Sequence, residues 1–219
     1  MQNKTAILLI GSPKPFKSSS ENIGKLLLGY LAKEGFATDI EHIGMAIREG
    51  AVDKVIHKVN NSDITIISTP LFVDSIPAPL ISFLELYQND KQKTNKKLIG
   101  IVNSGFPESF QNDTAIEVLR LFSIHNDFYW AGGFTIGCGG AFGSMDLHKS
   151  KMVKHIAESF QEAAICLSKG DTILKEVLEK ASKPIMSTFI YVFFGQLGWY
   201  LQSIKYHNQF NLKARPYAK

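Results

Sequence analysis

Cysteine is scarce in this sequence. Cys138 and Cys166 are the two it has, too few for a four-ligand metal site or for a small fold stapled by disulfides. A strong charge of one sign is missing as well. Lys plus Arg number 24 against 20 Asp plus Glu, and the resulting net charge of +4 is spread thinly along 219 residues, which argues against a nucleic-acid binder. No apolar signal segment follows Met1, so the chain is expected to stay in a reducing cytoplasm. The six histidines, His42, His57, His125, His148, His155 and His207, show no ligand spacing with one another or with the cysteines, so no metal site is expected. A serine-hydrolase elbow, an internal repeat and a low-complexity tract are absent too. At 45% hydrophobic and 20% charged residues the composition excludes disorder and collagen-like classes without indicating an activity.

What is present is a rhythm. Thr5 to Ile10 is a continuous apolar run closed by Gly11-Ser12-Pro13, the pattern of a strand buried on both faces. A helix follows from Ile23 to Lys33, with Ile23, Leu26, Leu27, Tyr30 and Leu31 on one stripe and Gly35 as its stop. The alternation continues with strands at Thr38–Ile43, Ile64–Ser68, Lys97–Val102 and Phe128–Ile136, and helices at Val52–Val59, Pro79–Tyr87 and Thr114–Phe122. Five strands joined by helical crossovers predict an α/β fold, a doubly wound five-stranded parallel sheet with its ligand at the strand C-terminal ends. After Ser144 the rhythm stops. Met145 to Ser168 reads as one long helix, and a second helical segment begins near Asp171 beyond Gly170. The expected organisation is a sheet domain over residues 1–168 and a helical C-terminal extension over 169–219.

The loop Gly11 to Ser20 lies between a buried strand and a helix N-terminus, where free N–H groups and the helix dipole favour an anion. Its hydroxyls and Lys14 and Lys17 can add donors and charge, although Ser19 or Ser20 could simply cap the helix. The triphosphate motif G-x-x-x-x-G-K-[ST] is missed by one residue, because Phe16 stands where the second Gly belongs. Bulk at that position resists close phosphate approach, Pro13 and Pro15 each remove an N–H, and neither candidate metal-holding strand ends in Asp. The dinucleotide fingerprint fails as well, since the Gly137–Gly143 run follows the fifth strand and has its last Gly one position late. With strand order 2-1-3-4-5, the loops after the first, third and fourth strands share one crevice. Phosphate donors at one end and Phe72 and Phe106 at the other suit a flat heterocycle carrying one phosphate.

These residues resemble the flavodoxin-like NAD(P)H-dependent FMN reductases, a family that includes quinone and azo-compound reductases. The resemblance rests on Gly11-Ser12-Pro13-Lys14 followed by Lys17-Ser18-Ser19-Ser20 and a helix, on Thr69 to Leu80, and on Asn103 to Glu108. It implies the flavodoxin-like order and an FMN-dependent oxidoreductase that takes hydride from NADPH or NADH and passes electrons to a small acceptor such as a quinone, azo or nitro compound, flavin or metal ion. Carried across by position, Ser12, Lys17, Ser18, Ser19 and Ser20 correspond to phosphate contacts. Pro70, Leu71, Phe72 and Val73 correspond to the segment along the ring edge, and Asn103, Ser104, Gly105 and Phe106 to the other wall. Lys14 and Phe72 stand where the family often has Arg and Tyr, which removes a bidentate fork and a hydroxyl. No side chain is expected to be catalytic, because the cofactor carries the chemistry. Gly139 and Gly140 could close the sheet edge or let backbone approach the flavin, and Cys138 is expected to pack rather than react. The alternatives are a flavodoxin-type electron carrier and a membrane-associated interaction protein using the fold as a scaffold.

The C-terminal part differs in character. From Ile185 to Ile204 no residue is charged, and six of those residues are aromatic. This stretch leaves open packing on the same or a neighbouring subunit, contact with a membrane interface through residues 185–204, and a span. A homodimer is the expected assembly.

Overall fold

The computed structural model describes residues 4–90, 93–143, 145–147 and 149–215. It forms two units, one ending at Ile185 and one beginning at Met186. In the first unit five strands, β1 (Thr5–Ile10), β2 (Ala37–His42), β3 (Ile64–Pro70), β4 (Lys97–Asn103) and β5 (Tyr129–Ile136), pair in parallel in the order β2-β1-β3-β4-β5. This is the parallel sheet expected from the alternating runs, in the flavodoxin-like order that the family resemblance implies. The connections are α1 (Ser19–Lys33), α2 (Ile43–Arg48), α3 (Val52–Asn60), α4 (Ala78–Leu86) and α5 (Asp113–His125), and α6 (Lys154–Ser168) and α7 (Lys175–Ala181) follow the last strand.

Side chains alternate across a strand, so each apolar run feeds two cores. Ala6, Leu8 and Ile10 of β1, Ile99 and Ile101 of β4 and Phe134 of β5 meet α1, α6 and α7 on one face. Ile7 and Leu9, Ile67 and Leu98 and Val102 meet α2 to α5 on the other. Phe134 stacks edge-on against Phe160 of α6 at 4.6 Å between ring centres, an arrangement worth about 0.5–1.5 kcal/mol beyond its buried area. β5 changes phase partway along. The register with β4 shifts between Leu98 and Ile99, so Leu98 faces Trp130 while Ile99 faces Gly132, and Gly132 takes a φ of 143° that a side chain would resist. The extra residue turns Phe134 and Ile136 onto the same face as Ala131.

Three local departures from the sequence expectation have physical causes. α2 is six residues long, too short for a helical period to show. The helix expected from Met145 starts only at Lys154, because Asn22 of α1 donates through Nδ2 to the carbonyls of Phe142 (2.7 Å) and Met145 (2.9 Å) and holds that stretch as turns. The segment expected to turn helical near Asp171 first runs along β5, with Ile173 N–H on the Ala131 carbonyl at 2.9 Å, and α7 begins at Lys175. At the opposite margin of the sheet, Lys58 of α3 bridges Asp39 (2.7 Å) and Glu41 (2.5 Å) of β2.

Lys96, the residue before β4, is 1% exposed. Its Nζ donates to Asn89 Oδ1 (2.6 Å), Asn60 Oδ1 (3.0 Å) and the Tyr87 hydroxyl (3.3 Å), and sits 4.8 Å from the centre of the Phe128 ring. Burial pushes its ammonium below the ordinary lysine value, against the opposing pull of Asp90 and Asp127.

The second unit is built on α8 (Thr188–Lys205), capped at its start by Ser187, whose hydroxyl accepts from the Ile190 N–H. It ends in a left-handed His207 (φ 56°), with His207 N–H on Ile204 O and Asn208 N–H on Ser203 O, a paired closure of the last carbonyls. Among the described residues no helix is long and apolar enough to cross a membrane.

Candidate functional site

The C-terminal ends of β1, β3 and β4 open side by side, and hydrogen bonds tie their loops together. Gly11 N–H continues the pairing of β1 onto Ser68 O (2.8 Å). Ser68 Oγ donates to the Ser20 carbonyl (2.6 Å), Ser20 Oγ donates to Asn103 Oδ1 (2.7 Å), and Leu71 N–H donates to Asn103 O (2.8 Å). Thus Ser20 from the first loop, Leu71 from the second and Asn103 from the third share one bonded chain.

At the start of α1, Ser18 is the N-cap and its Oγ accepts from the Glu21 N–H at 3.1 Å. The Ser20 proton is thus spent on Asn103, whereas Ser18 Oγ only accepts and keeps its own proton. The donors left for an anion are the N–H groups of Ser19 and Ser20, which have no carbonyl one turn back, the hydroxyls of Ser12, Ser18 and Ser19, and the Lys17 ammonium. Ser12 is buried and accepts from Lys14 N–H at 3.3 Å, so its own proton is free to donate. Lys17 is exposed and left-handed (φ 53°), and its carbonyl receives Lys14 Nζ at 3.2 Å. Phe16, the residue that breaks the triphosphate motif, is exposed and leans on His42 with 5.7 Å between ring centres.

Glu21 was not singled out by the sequence reading. Its signal was the spacing of Ser18 to Glu21, the S-x-x-E pattern that opens helices. The carboxylate is buried, 2.5 Å from Lys25 Nζ and 3.9 Å from His42 Nε2. Burial alone would raise it, but bonding and attraction to Lys25, with help from His42 and the Lys17 N–H, hold it below the ordinary carboxylate range. A cavity of about 340 Å³ opens here between Lys17, Glu21, Asn22, Lys25, Gly143, Met145 and Asp146, so Lys14, Lys17 and Lys25 outnumber the acids beside the loop by three to two.

The second loop makes a tight turn in which Phe72 N–H meets Ser75 O (2.8 Å) and Ser75 N–H meets Phe72 O (3.0 Å). Val73 and Asp74 between them are both left-handed, with φ of 49° and 56°. Val73 is 98% exposed, so no packing repays the strain of a branched side chain there. Val73→Asn is expected to raise the unfolding free energy by about 0.5–1 kcal/mol, read as a higher urea midpoint with an unchanged slope.

The third loop is braced by the residues after β5. Ser104 N–H bonds Ile136 O (3.1 Å), Gly139 N–H bonds Ser104 O (2.6 Å), and Cys138 N–H bonds Phe106 O (2.7 Å). A Cβ on Gly137 would lie 2.3 Å from the Pro107 carbonyl oxygen, so only glycine lets the two loops meet. Gly139 thus serves as a brace for this wall. Cys138 is buried and left-handed, and burial followed by the charge of Glu108 pushes its thiol up, which disfavours a reactive thiolate. Asn103 and Ser104 are buried, whereas Phe106 is 57% and Phe72 49% exposed at the rim. The Ser104 hydroxyl is buried without a partner.

This donor set suits FMN better than a triphosphate. β3 and β4 end in Pro70 and Asn103, with no carboxylate to carry magnesium, and no group of three or more His, Cys, Asp or Glu among the described residues could hold a metal. A different cavity, of about 470 Å³, lies at the N-terminal ends of the strands beside Lys4, Phe36, Lys97 and Tyr129, where both lysines are spent on backbone carbonyls.

No curated protein matches the sequence. Among solved structures, the FMN-dependent NADH-azoreductase from Bacillus anthracis in complex with FMN superposes with a TM-score of 0.57 at 11% identity, over 75% of this chain and 99% of that one. An NADH:FMN oxidoreductase in its apo form gives 0.56 at 14% identity, over 80% and 94%. RosB with a bound 8-demethyl-8-formylriboflavin-5'-phosphate gives 0.56 at 12% identity, over 79% and 83%. At these identities the likeness speaks for the fold. The model of the NADPH-dependent FMN reductase family matches residues 5–127, which takes in the first loop, the second and the third. This protein belongs to that family, and it is an NAD(P)H-dependent FMN oxidoreductase.

Proposed function

We propose that the crevice holds FMN between the first loop and the two later ones, and that a small acceptor (a quinone, azo or nitro compound, a free flavin or a metal ion) is reduced in the same place. FMN, when bound, supplies hydride acceptance from NAD(P)H and electron release to the acceptor. The chain's own part is to bind, orient and exclude water. The N–H groups of Ser19 and Ser20, the Ser12 and Ser19 hydroxyls and the Lys17 ammonium would hold the phosphate, with Ser18 keeping those N–H groups aligned as the helix cap. Pro70, Leu71, Phe72 and Val73 would border the ring on one side, and Asn103, Ser104, Gly105 and Phe106 on the other. Within this set the unpartnered Ser104 hydroxyl is the natural donor or acceptor for a ring heteroatom. The half-exposed Phe72 and Phe106 leave an apolar mouth for a flat acceptor.

The observation that carries this reading is the bonded chain from Ser20 through Asn103 to Leu71, which fixes all three loops relative to one another. The test is anaerobic addition of NADPH, then NADH, to the yellow protein, followed by a panel of quinones and azo dyes. Bleaching by a pyridine nucleotide and recovery by acceptor, both at turnover rates, are the expected results. Flavin that stays oxidised in excess nucleotide yet accepts electrons from a redox protein would replace this proposal with the carrier.

A further inference from the structure

α8 carries a surface that the flavin chemistry does not use. Ile190, Phe193, Phe194, Leu197, Leu201 and Ile204 recur at helical spacing and form one stripe about 100° wide, and all six are exposed. The opposite side presents Thr188, Gly195 and Gln202 together with Val192 and Trp199, flanked by Gln196 and the buried Ser203. Trp199, 73% exposed, Tyr200 and Tyr206 add amphipathic rings toward the C-terminal end.

The charge around this helix has one sign. From residue 180 to residue 219 the sequence contains no Asp and no Glu, while Lys183 precedes α8 and Lys205, Lys213 and Arg215 end it or follow it. All four are exposed. We infer that α8 lies flat on an anionic lipid surface, with its apolar stripe in the acyl boundary and Lys205, Lys213 and Arg215 of the same unit among the headgroups. The helix is 18 residues long, or about 27 Å, and its polar side would strand Thr188, Gln196 and Gln202 in hydrocarbon if it stood upright. A second copy of this chain is a poor occupant, because two such segments bring cations together with no acid to pair them.

The test uses full-length FMN-loaded protein pelleted with vesicles of phosphatidylcholine alone or of phosphatidylcholine with one third phosphatidylglycerol. Binding is expected on the anionic vesicles, at least about 10-fold weaker on the neutral ones and weakened by raised salt. Leu197→Glu with Leu201→Glu should abolish pelleting, and Lys205→Glu with Lys213→Glu should cut it about 10-fold on anionic vesicles only, both with flavin content and NADPH oxidation retained. Failure to pellet, equal binding to neutral vesicles, or unchanged binding of the lysine variant would each overturn the inference. A dimer in sedimentation velocity that the double leucine variant dissociates would assign the stripe to a second copy instead.

Discussion

Ser19→Asp is expected to leave the chain folded and strip it of FMN. Ser19 opens α1 and is half-buried, and an acid in a first turn faces the positive end of the helix dipole, which favours it by about 0.3–1 kcal/mol. Thermal stability should hold or rise. A phosphate at the proposed place meets that new carboxylate at close range, and two unit charges 4 Å apart at an effective dielectric constant of 20 repel by about 4 kcal/mol. Screening leaves part of this, so FMN affinity should fall at least about 100-fold, a loss of about 2.7 kcal/mol. The measurement is the flavin-to-protein ratio after desalting, with Ser19→Asn as the neutral control that keeps its colour. A Ser19→Asp protein that emerged fully yellow would move the phosphate away from α1.

Lys96→Met should cost about 3 kcal/mol of unfolding free energy. Methionine fills similar volume, but Asn89 Oδ1, Asn60 Oδ1 and the Tyr87 hydroxyl all lose a cationic donor. Hydrogen bonds to charged groups are worth about 1.5–3 kcal/mol each, and relief of the buried ammonium returns part of the sum. Tyr87 still donates to Asn60 at 2.6 Å, which spares one acceptor. The pH dependence has a definite sign. Because burial lowers the native pKa of Lys96, the unfolded chain binds more protons between that value and the ordinary lysine value of about 10.4. Stability from this residue therefore increases with pH across that window, and the gap between wild type and Lys96→Met should widen toward pH 10. Urea titrations at several pH values read it directly, and a gap that stayed constant would mean the ammonium is solvated.

The parallel sheet was legible because most strands are short apolar runs bounded by turn residues, and parallel neighbours demand the crossovers that the helical stripes supply; its order followed from the family resemblance, and β2, half polar at Ala37–His42, gave the weakest signal. The loops of the site were legible for the same reason, being the segments at which those runs stop. Their internal wiring was not. Whether Ser20 donates to a ligand or to Asn103 depends on a partner 83 positions away, and the cap falls on Ser18, paired with Glu21, rather than on Ser19 or Ser20. Nothing in the sequence around Lys96 announces that Asn60, Tyr87 and Asn89 close over it. The phase change in β5 hides in a Gly-Gly pair, and the late start of α6 depends on Asn22, more than a hundred residues upstream.

The two margins of the sheet bear on how the protein behaves when crowded. A parallel sheet leaves unpaired amides and carbonyls along both outer strands, which invites neighbouring molecules to add on. Here one border bristles with Asp39, Glu41 and Lys58, and the other is bent by the Gly132 bulge and blocked by Ile173 on the Ala131 carbonyl. Fibril-like stacking of whole sheets is thereby discouraged at both ends, so concentrated stocks should form ordered β-aggregates only after those guards have come undone.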